Sequence, residues 1–210
     1  MLQGLYSIIL TNSANVHVES HSVLNKRVIN PRIIKGIYRM KSMPVIHPAR
    51  PPLARIRRVI FDTIESRQKI NKVLDLCCGS GSLGLEALSR GANEVVFVDK
   101  DPSVIRNLNE TVKKWDINSD ILNIKARTYI SNALKVNFPD EVFDTLFIDL
   151  PFPEQKENLV LENLLEKNLI DENSIISVRS YRKHQYEHAN FKVLKEKIEG
   201  KSHIMFLQKA

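Results

Sequence analysis

The residues of this 210-residue chain whose types and spacing could do chemistry begin with Gly79-Ser80-Gly81-Ser82-Leu83-Gly84. This GxGxxG loop directly follows the apolar run Lys72–Cys77 and directly precedes a helical pattern. Glycines there let the chain turn sharply and let a ligand approach the backbone, and the free N–H groups of a helix start favour an anionic group. Asp99 lies 20 residues after Gly79, at the end of the next apolar run and just before Lys100. A carboxylate in that place can accept hydrogen bonds from ribose hydroxyls. Loop and acid together leave two ligands open, a dinucleotide and S-adenosylmethionine, because both carry an adenosine ribose. Asp75 favours the second. It sits inside the strand pattern four residues before Gly79, where a dinucleotide fold usually has an apolar residue. Its carboxylate could meet a ligand ammonium, directly or through the loop or water; S-adenosylmethionine has such an ammonium and NAD has none. Asn132-Ala133 follows a further strand pattern, and its amide either reads an adenine edge or serves as an ordinary turn asparagine.

A second group is Asp149-Leu150-Pro151-Phe152, at the end of the strand pattern Phe143–Asp149. Ligands of open α/β sheets bind at the carboxyl ends of strands, so this stretch should lie beside the glycine loop. An exocyclic amine of a nucleobase is a poor nucleophile because its lone pair is delocalised into the ring. The Asp149 carboxylate and the Leu150 carbonyl could accept its N–H groups and orient that lone pair, while Phe152 stacked on the base. Such stacking is worth ~1–3 kcal/mol. In-line positioning against a good leaving group can supply about 7–11 kcal/mol of a transfer barrier. Such a reaction requires no metal, and the six histidines show no ligand spacing.

The third group is a charge cluster. The whole chain carries +7, yet Lys26–Lys69 alone holds 12 Lys+Arg against Asp62 and Glu65, a net of +10, leaving −3 elsewhere. Arg39, Arg50, Arg55, Arg57 and Arg58 in this stretch suit a phosphate-facing surface. With about 6–10 phosphate contacts, affinity for a polyanion should fall roughly 10³–10⁵-fold between about 50 and 200 mM salt.

The elements that must position these groups follow from periodicity and punctuation. Three zones are expected: a disordered leader over 1–30; a basic arm and helix over 31–70; and an α/β body over 71–210. Arg32–Tyr38 suggests a short strand. Leu53, Ile56, Ile60 and Ile64 form one helical stripe in a helix opened by Pro51 or Pro52 and running to about Ser66. In the body, strands over Lys72–Cys77, Glu94–Val98, Ala126–Ile130, Phe143–Asp149 and Ser174–Val178 alternate with helices over Ser82–Arg90, Pro102–Trp115 and Glu157–Asn168. Gly91 ends one helix, and Asp101 caps the next with Pro102 in its first turn. A hairpin over Phe191–Ile198 and His203–Gln208, joined through Gly200, closes the chain. The pattern is that of an α/β, Rossmann-like parallel sheet with an antiparallel edge. Adjacent Cys77 and Cys78 exclude a disulfide framework and are expected to pack the loop. No run approaches the ~18–20 apolar residues of a membrane span. Without a recognisable secretory leader, a cytoplasmic protein is expected.

These residues resemble the bacterial guanine-N2 methyltransferases of small-subunit (16S) ribosomal RNA, the RsmD type. The resemblance spans about Arg32 to Gln208 and is most specific over Leu74–Ala92, LDLCCGSGSLGLEALSRGA, against LD-x-x-x-GSG-x-LGLEALSRGA. Val96–Asp101 matches the stretch with the ribose-binding acid, and Arg127–Leu134 the segment with the adenine-side Asn-Ala. Arg50-Pro51, Arg55, Arg57 and Phe61 match RPT-x-x-RVRE-x-x-F, and Arg32–Arg39 the RIIGG-x-x-R start. The resemblance implies a class I methyltransferase sheet, S-adenosylmethionine as donor, and a guanine of small-subunit ribosomal RNA or an assembling small subunit as acceptor. Asp75, Gly79, Ser80, Gly81, Asp99, Lys100, Asn132 and Ala133 would hold the cofactor. Asp149, Leu150, Pro151 and Phe152 would form the acceptor site, and the five arginines would hold RNA in a monomeric enzyme. The chain departs from the pattern in Leu150, where the family has a first proline, in Pro52, Ala54 and Arg58, and in Arg179, where a glutamate is usual. The rival readings are an adenine-N6 methyltransferase of the same fold and a cofactor-binding ribosome-assembly factor in which Leu150 marks lost catalysis. An NAD-dependent dehydrogenase is disfavoured by Asp75 and the want of a catalytic pair.

Overall fold

Strands dense in buried apolar residues and helices with one apolar stripe pack as two layers of helix around one sheet. The computed structural model describes residues 31–44, 52–118, 123–150, 156–180 and 189–210. Helix α1 (Ala54–Glu65) leads into β1 (Lys72–Leu76), α2 (Ser82–Ser89), β2 (Glu94–Asp99), α3 (Pro102–Lys114) and β3 (Lys125–Ile130). A 3-10 turn at Ala133–Lys135 precedes β4 (Thr145–Ile148), α4 (Glu157–Glu166), β5 (Ile175–Ser180), β6 (Phe191–Glu199) and β7 (Ser202–Lys209). The seven strands lie in the order β3-β2-β1-β4-β5-β7-β6. The first five are parallel, and β7 runs antiparallel between β5 and β6.

Alternation along the strands sends side chains to two separate cores. Val73, Val95, Phe97, Phe147 and Phe206 pack beneath α1, α2 and α3. Leu74, Leu76, Val96, Ile148 and Val178 pack against α4 and the 3-10 turn. The expected elements form with ends shifted by a few residues, and Asp101 caps α3 by accepting from the Ser103 N–H at 2.8 Å. The hairpin turns through Gly200, at φ +61°. Because β7 is antiparallel to β5, this turn returns to the carboxyl end of the parallel strands.

Two expectations are corrected. Arg32–Tyr38 is not a strand; among the described residues it makes one isolated antiparallel bridge, Arg32 to Ser42. Its backbone donors are satisfied by the end of α2 instead. Ile34 and Lys35 N–H donate to the Glu86 carboxylate at 2.9 and 3.1 Å, Tyr38 N–H to Ser89 Oγ at 3.0 Å, and Ile37 N–H to the Ser89 carbonyl at 2.9 Å. Gly36, at φ +93°, brings the chain so close that a Cβ there would lie 1.6 Å from the Ser89 oxygen. The α1 stripe also rotates: Ile56, Ile60 and Ile64 are buried as expected, but Leu53 is 66% exposed and Arg57 only 1%. The leader over 1–30 lies outside the described residues.

The glycine loop is packed as well as open. A Cβ on Gly84 would meet the Phe97 ring at 2.2 Å and Val95 at 2.8 Å. Gly84→Ala is therefore expected to cost ~1–3 kcal/mol by overpacking, read as a lower urea midpoint with an unchanged slope. An unshifted midpoint would show that α2 can withdraw from β2 without loss.

Candidate active site

Strand β1 ends in a turn that raises the glycine loop over the sheet. Cys77 takes φ +55° and Gly79 φ +51°. Cys78 N–H donates to the Val98 carbonyl at 3.0 Å, and Gly81 N–H closes back on the Cys78 carbonyl at 2.8 Å. The glycines divide their work. A Cβ on Gly79 would find only the Cys77 carbonyl, at 4.0 Å, whereas one on Gly81 would strike Leu108 at 2.7 Å. Gly79 thus leaves room for a ligand against the backbone, while Gly81 and Gly84 admit the neighbouring helix and strand. Ser80 is buried beside this opening, with no hydrogen-bond partner for its Oγ among the described residues.

The two acids chosen for the cofactor are the loop's own supports. Asp99 accepts from the Gly79 N–H at 2.9 Å and the Asp101 N–H at 3.0 Å, and Lys100 beside it is exposed. Asp75 is 1% exposed and accepts from the Gly84 N–H at 2.9 Å, holding the first turn of α2. Its register neighbours are Phe97 and Phe147, so burial pushes its carboxyl well above the usual range. Of the two routes open to Asp75, this geometry provides the one through the loop. Burial, with the carboxylates Asp99, Asp149 and Asp75 nearby, drives the Cys77 thiol up to about 12. That thiol stays protonated, as a packing residue should. Asn132 is exposed and its carbonyl caps the 3-10 turn by accepting from the Leu134 N–H at 3.0 Å. The turn role is therefore real, and only its amide N–H donors are left for a ligand; Ala133 beside it is buried.

One step beyond the last β4–β5 register pair, Ile148 with Val178, Asp149 comes beside Arg179. The two side chains are each 14% exposed, and the Arg179 guanidinium lies 2.7 Å from Asp149 Oδ1 and 2.8 Å from Oδ2. Only the Oδ2 contact is an aligned hydrogen bond; Oδ1 has no aligned donor among the described residues. Loss of water pushes the Asp149 carboxyl up and the guanidinium opposes that. Leu150 is buried at 6%. Pro151 and Phe152 lie outside the described residues.

The basic arm is less uniform than its composition. Arg57 is not available to phosphate. It lies inside the protein, donating to the carbonyls of Pro52 and Arg32 at 2.9 and 2.6 Å, with Glu86 4.0 Å away. Arg55 pairs with Glu199 of the hairpin turn at 2.7 Å. Arg39 and Arg58 are exposed, and Arg50 lies outside the described residues. What the sequence reading missed is the role of α2's far end. Glu86 is wholly buried and gathers Arg90 at 2.8 Å as well as the arm's backbone, and Arg90 reaches Glu65 at 3.1 Å. The i,i+4 pairing of Glu86 with Arg90 was its one visible signal.

Neither a group of metal-ligating side chains nor a helix long and apolar enough to cross a membrane occurs among the described residues. A five-stranded parallel sheet extended by an antiparallel pair, with a glycine loop between its first strand and the following helix, is the Rossmann-like sheet of class I methyltransferases. A protein of Escherichia coli described as a methyltransferase, yhhF, superposes with a TM-score of 0.73 at 26% identity over 86% of this chain and 98% of its own. A Haemophilus influenzae protein described as a methylase gives a TM-score of 0.71 at 28% identity, with the same coverage. The family described as Conserved hypothetical protein 95 matches residues 31–208. Ribosomal RNA small subunit methyltransferase D of Haemophilus influenzae is 31% identical over 179 residues, 80% of this chain and 89% of that protein. The chain belongs to this methyltransferase D family, as the glycine-loop motif implied.

Proposed function

We propose that the protein transfers a methyl group from S-adenosylmethionine to the exocyclic N2 amine of a guanine in small-subunit ribosomal RNA. The observation that carries this reading is the Asp149 carboxylate, placed where β4 ends beside the glycine loop, with one oxygen short of an aligned donor. The residues present fit the cofactor: Gly79 leaves open backbone, Ser80 Oγ is buried without a partner among the described residues, and Asp99 sets a carboxylate beside the loop where ribose hydroxyls would lie. When bound, S-adenosylmethionine supplies a methyl carbon with a neutral thioether as its leaving group. Gly79, Ser80 and Asp99 would line it, Asp75 would fix the loop, and the Asn132 amide would donate to the adenine.

The acceptor chemistry falls to Asp149 and Leu150. Asp149 accepts one amine N–H and the Leu150 carbonyl the other, which turns the nitrogen lone pair out of the ring's conjugation. As the nitrogen gains its methyl group it must lose a proton, and an ionised Asp149 receives or relays it to water. Labelled cofactor should therefore methylate unmethylated small subunits at a guanine; label found only at an adenine would sink the guanine assignment.

Exposed Arg39 and Arg58 are the arm's candidates for RNA phosphate, in a monomeric enzyme of the cytoplasm. Each phosphate contact contributes about −0.9 to the slope of log affinity against log salt. Arg58→Ala is expected to flatten the slope for small-subunit RNA by about one unit and to leave cofactor affinity unchanged. An unaltered slope would remove Arg58 from the interface.

A further inference from the structure

The acceptor carboxylate does not stand alone: its partner is Arg179, on the neighbouring strand β5. Asp149 and Arg179 project from neighbouring parallel strands onto the same sheet face, the one that also carries Asp75. One guanidinium nitrogen reaches both carboxylate oxygens but aligns with Oδ2 alone. A second nitrogen of Arg179 donates to Ser202 Oγ at 3.3 Å, which ties the guanidinium to β7. The plane of the Asp149 carboxylate is thereby set by two further strands.

We propose that Arg179 is the positioning residue of the acceptor site: tied to Ser202 of β7, it grips the Asp149 carboxylate from β5 and fixes the orientation in which that carboxylate takes an amine N–H. This rests on the acceptor role of Asp149 proposed above. An unclamped carboxylate could rotate and offer either oxygen, placing the amine in two poses of which only one is in line for transfer. A displacement of about 1 Å can cost ~10²-fold in rate. The clamp also supplies charge. Among the described residues, the titratable and charged groups that act on Asp149 are Asp75 and Cys77 of β1 and its turn, and Arg179 of β5; Asp99 and Lys100 at the end of β2 act on Cys77. Burial favours a protonated Asp149, and the Arg179 guanidinium in contact with it opposes that.

The experiment uses the full-length protein with two substitutions and two readouts. The first readout is the titration of the Asp149 side-chain carbon by carbon-13 NMR, without RNA or cofactor. The second is the pH dependence of kcat and KM for methyl transfer to small-subunit RNA. In Arg179→Met, Asp149 should titrate about 1–3 pH units higher, as loss of an opposite charge in contact implies. The acid limb of kcat should rise with it, while KM for RNA and cofactor affinity hold within about twofold. In Arg179→Lys the limb should stay near its original pH, but kcat on the plateau should fall ~10-fold or more, because an ammonium lacks the planar fork that fixes the carboxylate. A pair that merely joined β4 to β5 would lower the melting temperature and leave limb and plateau alone. An unmoved Asp149 titration in Arg179→Met, or an unreduced plateau in Arg179→Lys, overturns the proposal. Should Arg179→Met fail to fold, the lysine variant decides. Absence of transfer by the unsubstituted protein would instead count against the function, with the NMR titration still deciding whether Arg179 governs Asp149.

Discussion

Asp149→Asn is expected to lower kcat for methyl transfer by about 10²–10³-fold, the usual effect of removing one preorganised electrostatic contact made in the transition state. The carboxamide keeps the shape of the carboxylate but not its charge, so it accepts an amine N–H more weakly and cannot take up the departing proton. Its partner Arg179 would keep a neutral acceptor, so the fold should survive. Cofactor affinity should be unchanged, because the loop is held by Asp75 and Asp99 and not by Asp149. Single-turnover transfer from labelled cofactor, with cofactor binding measured by calorimetry, separates the two effects. Weakened cofactor binding with normal turnover would contradict the role. Wild-type activity should fall as the pH drops through a carboxyl value above that of an ordinary aspartate, since loss of water raises it against the pull of Arg179.

The largest effect on stability is expected at Glu86. Its carboxylate is wholly buried and serves Arg90, the nearby Arg57, and the N–H groups of Ile34 and Lys35. Glu86→Ala strips all four at once, leaving two buried guanidinium groups short of their counter-charge. Removing one partner of a buried pair costs about 3–5 kcal/mol. Glu65→Ala, which removes a partly exposed carboxylate from the same Arg90, should cost ~1 kcal/mol or less. Chemical denaturation measures both. Because Glu86 holds the backbone of residues 34 and 35, limited proteolysis should also cut within 31–44 of Glu86→Ala while the sheet still protects the rest. Equal costs for the two variants would mean that the cluster is wet and the arm is held chiefly by Ile33, Tyr38 and Met43.

Glu86 also shows where reading from the sequence ran out. In the run SLGLEALSRGA, helical spacing and the stop at Gly91 were legible, and the helix formed. That its glutamate and serine grip a segment some 50 residues earlier was not, because the grip depends on side chain to backbone bonds between parts of the chain with no shared period. The same holds for Arg57. A count of arginines cannot tell an exposed cation from one paired inside, and the α1 stripe rotates by enough to bury it.

By itself the sequence determined the alternation of strands and helices, the glycine loop with its acids, the family, and the order in which the site residues arrive. Those are properties of local spacing: apolar period, cap, turn and motif are each written within a few residues. Only the tertiary structure decided which acid faces which partner. Asp75 turns under the loop because its strand position points it at α2, and Asp99 holds Gly79 because β2 lies beside β1. Asp149 meets Arg179 because β4 and β5, joined through a helix, lie in register in one sheet. Contacts of that kind are set by strand order and register, which hydrogen bonding across the sheet fixes only once the whole fold has formed.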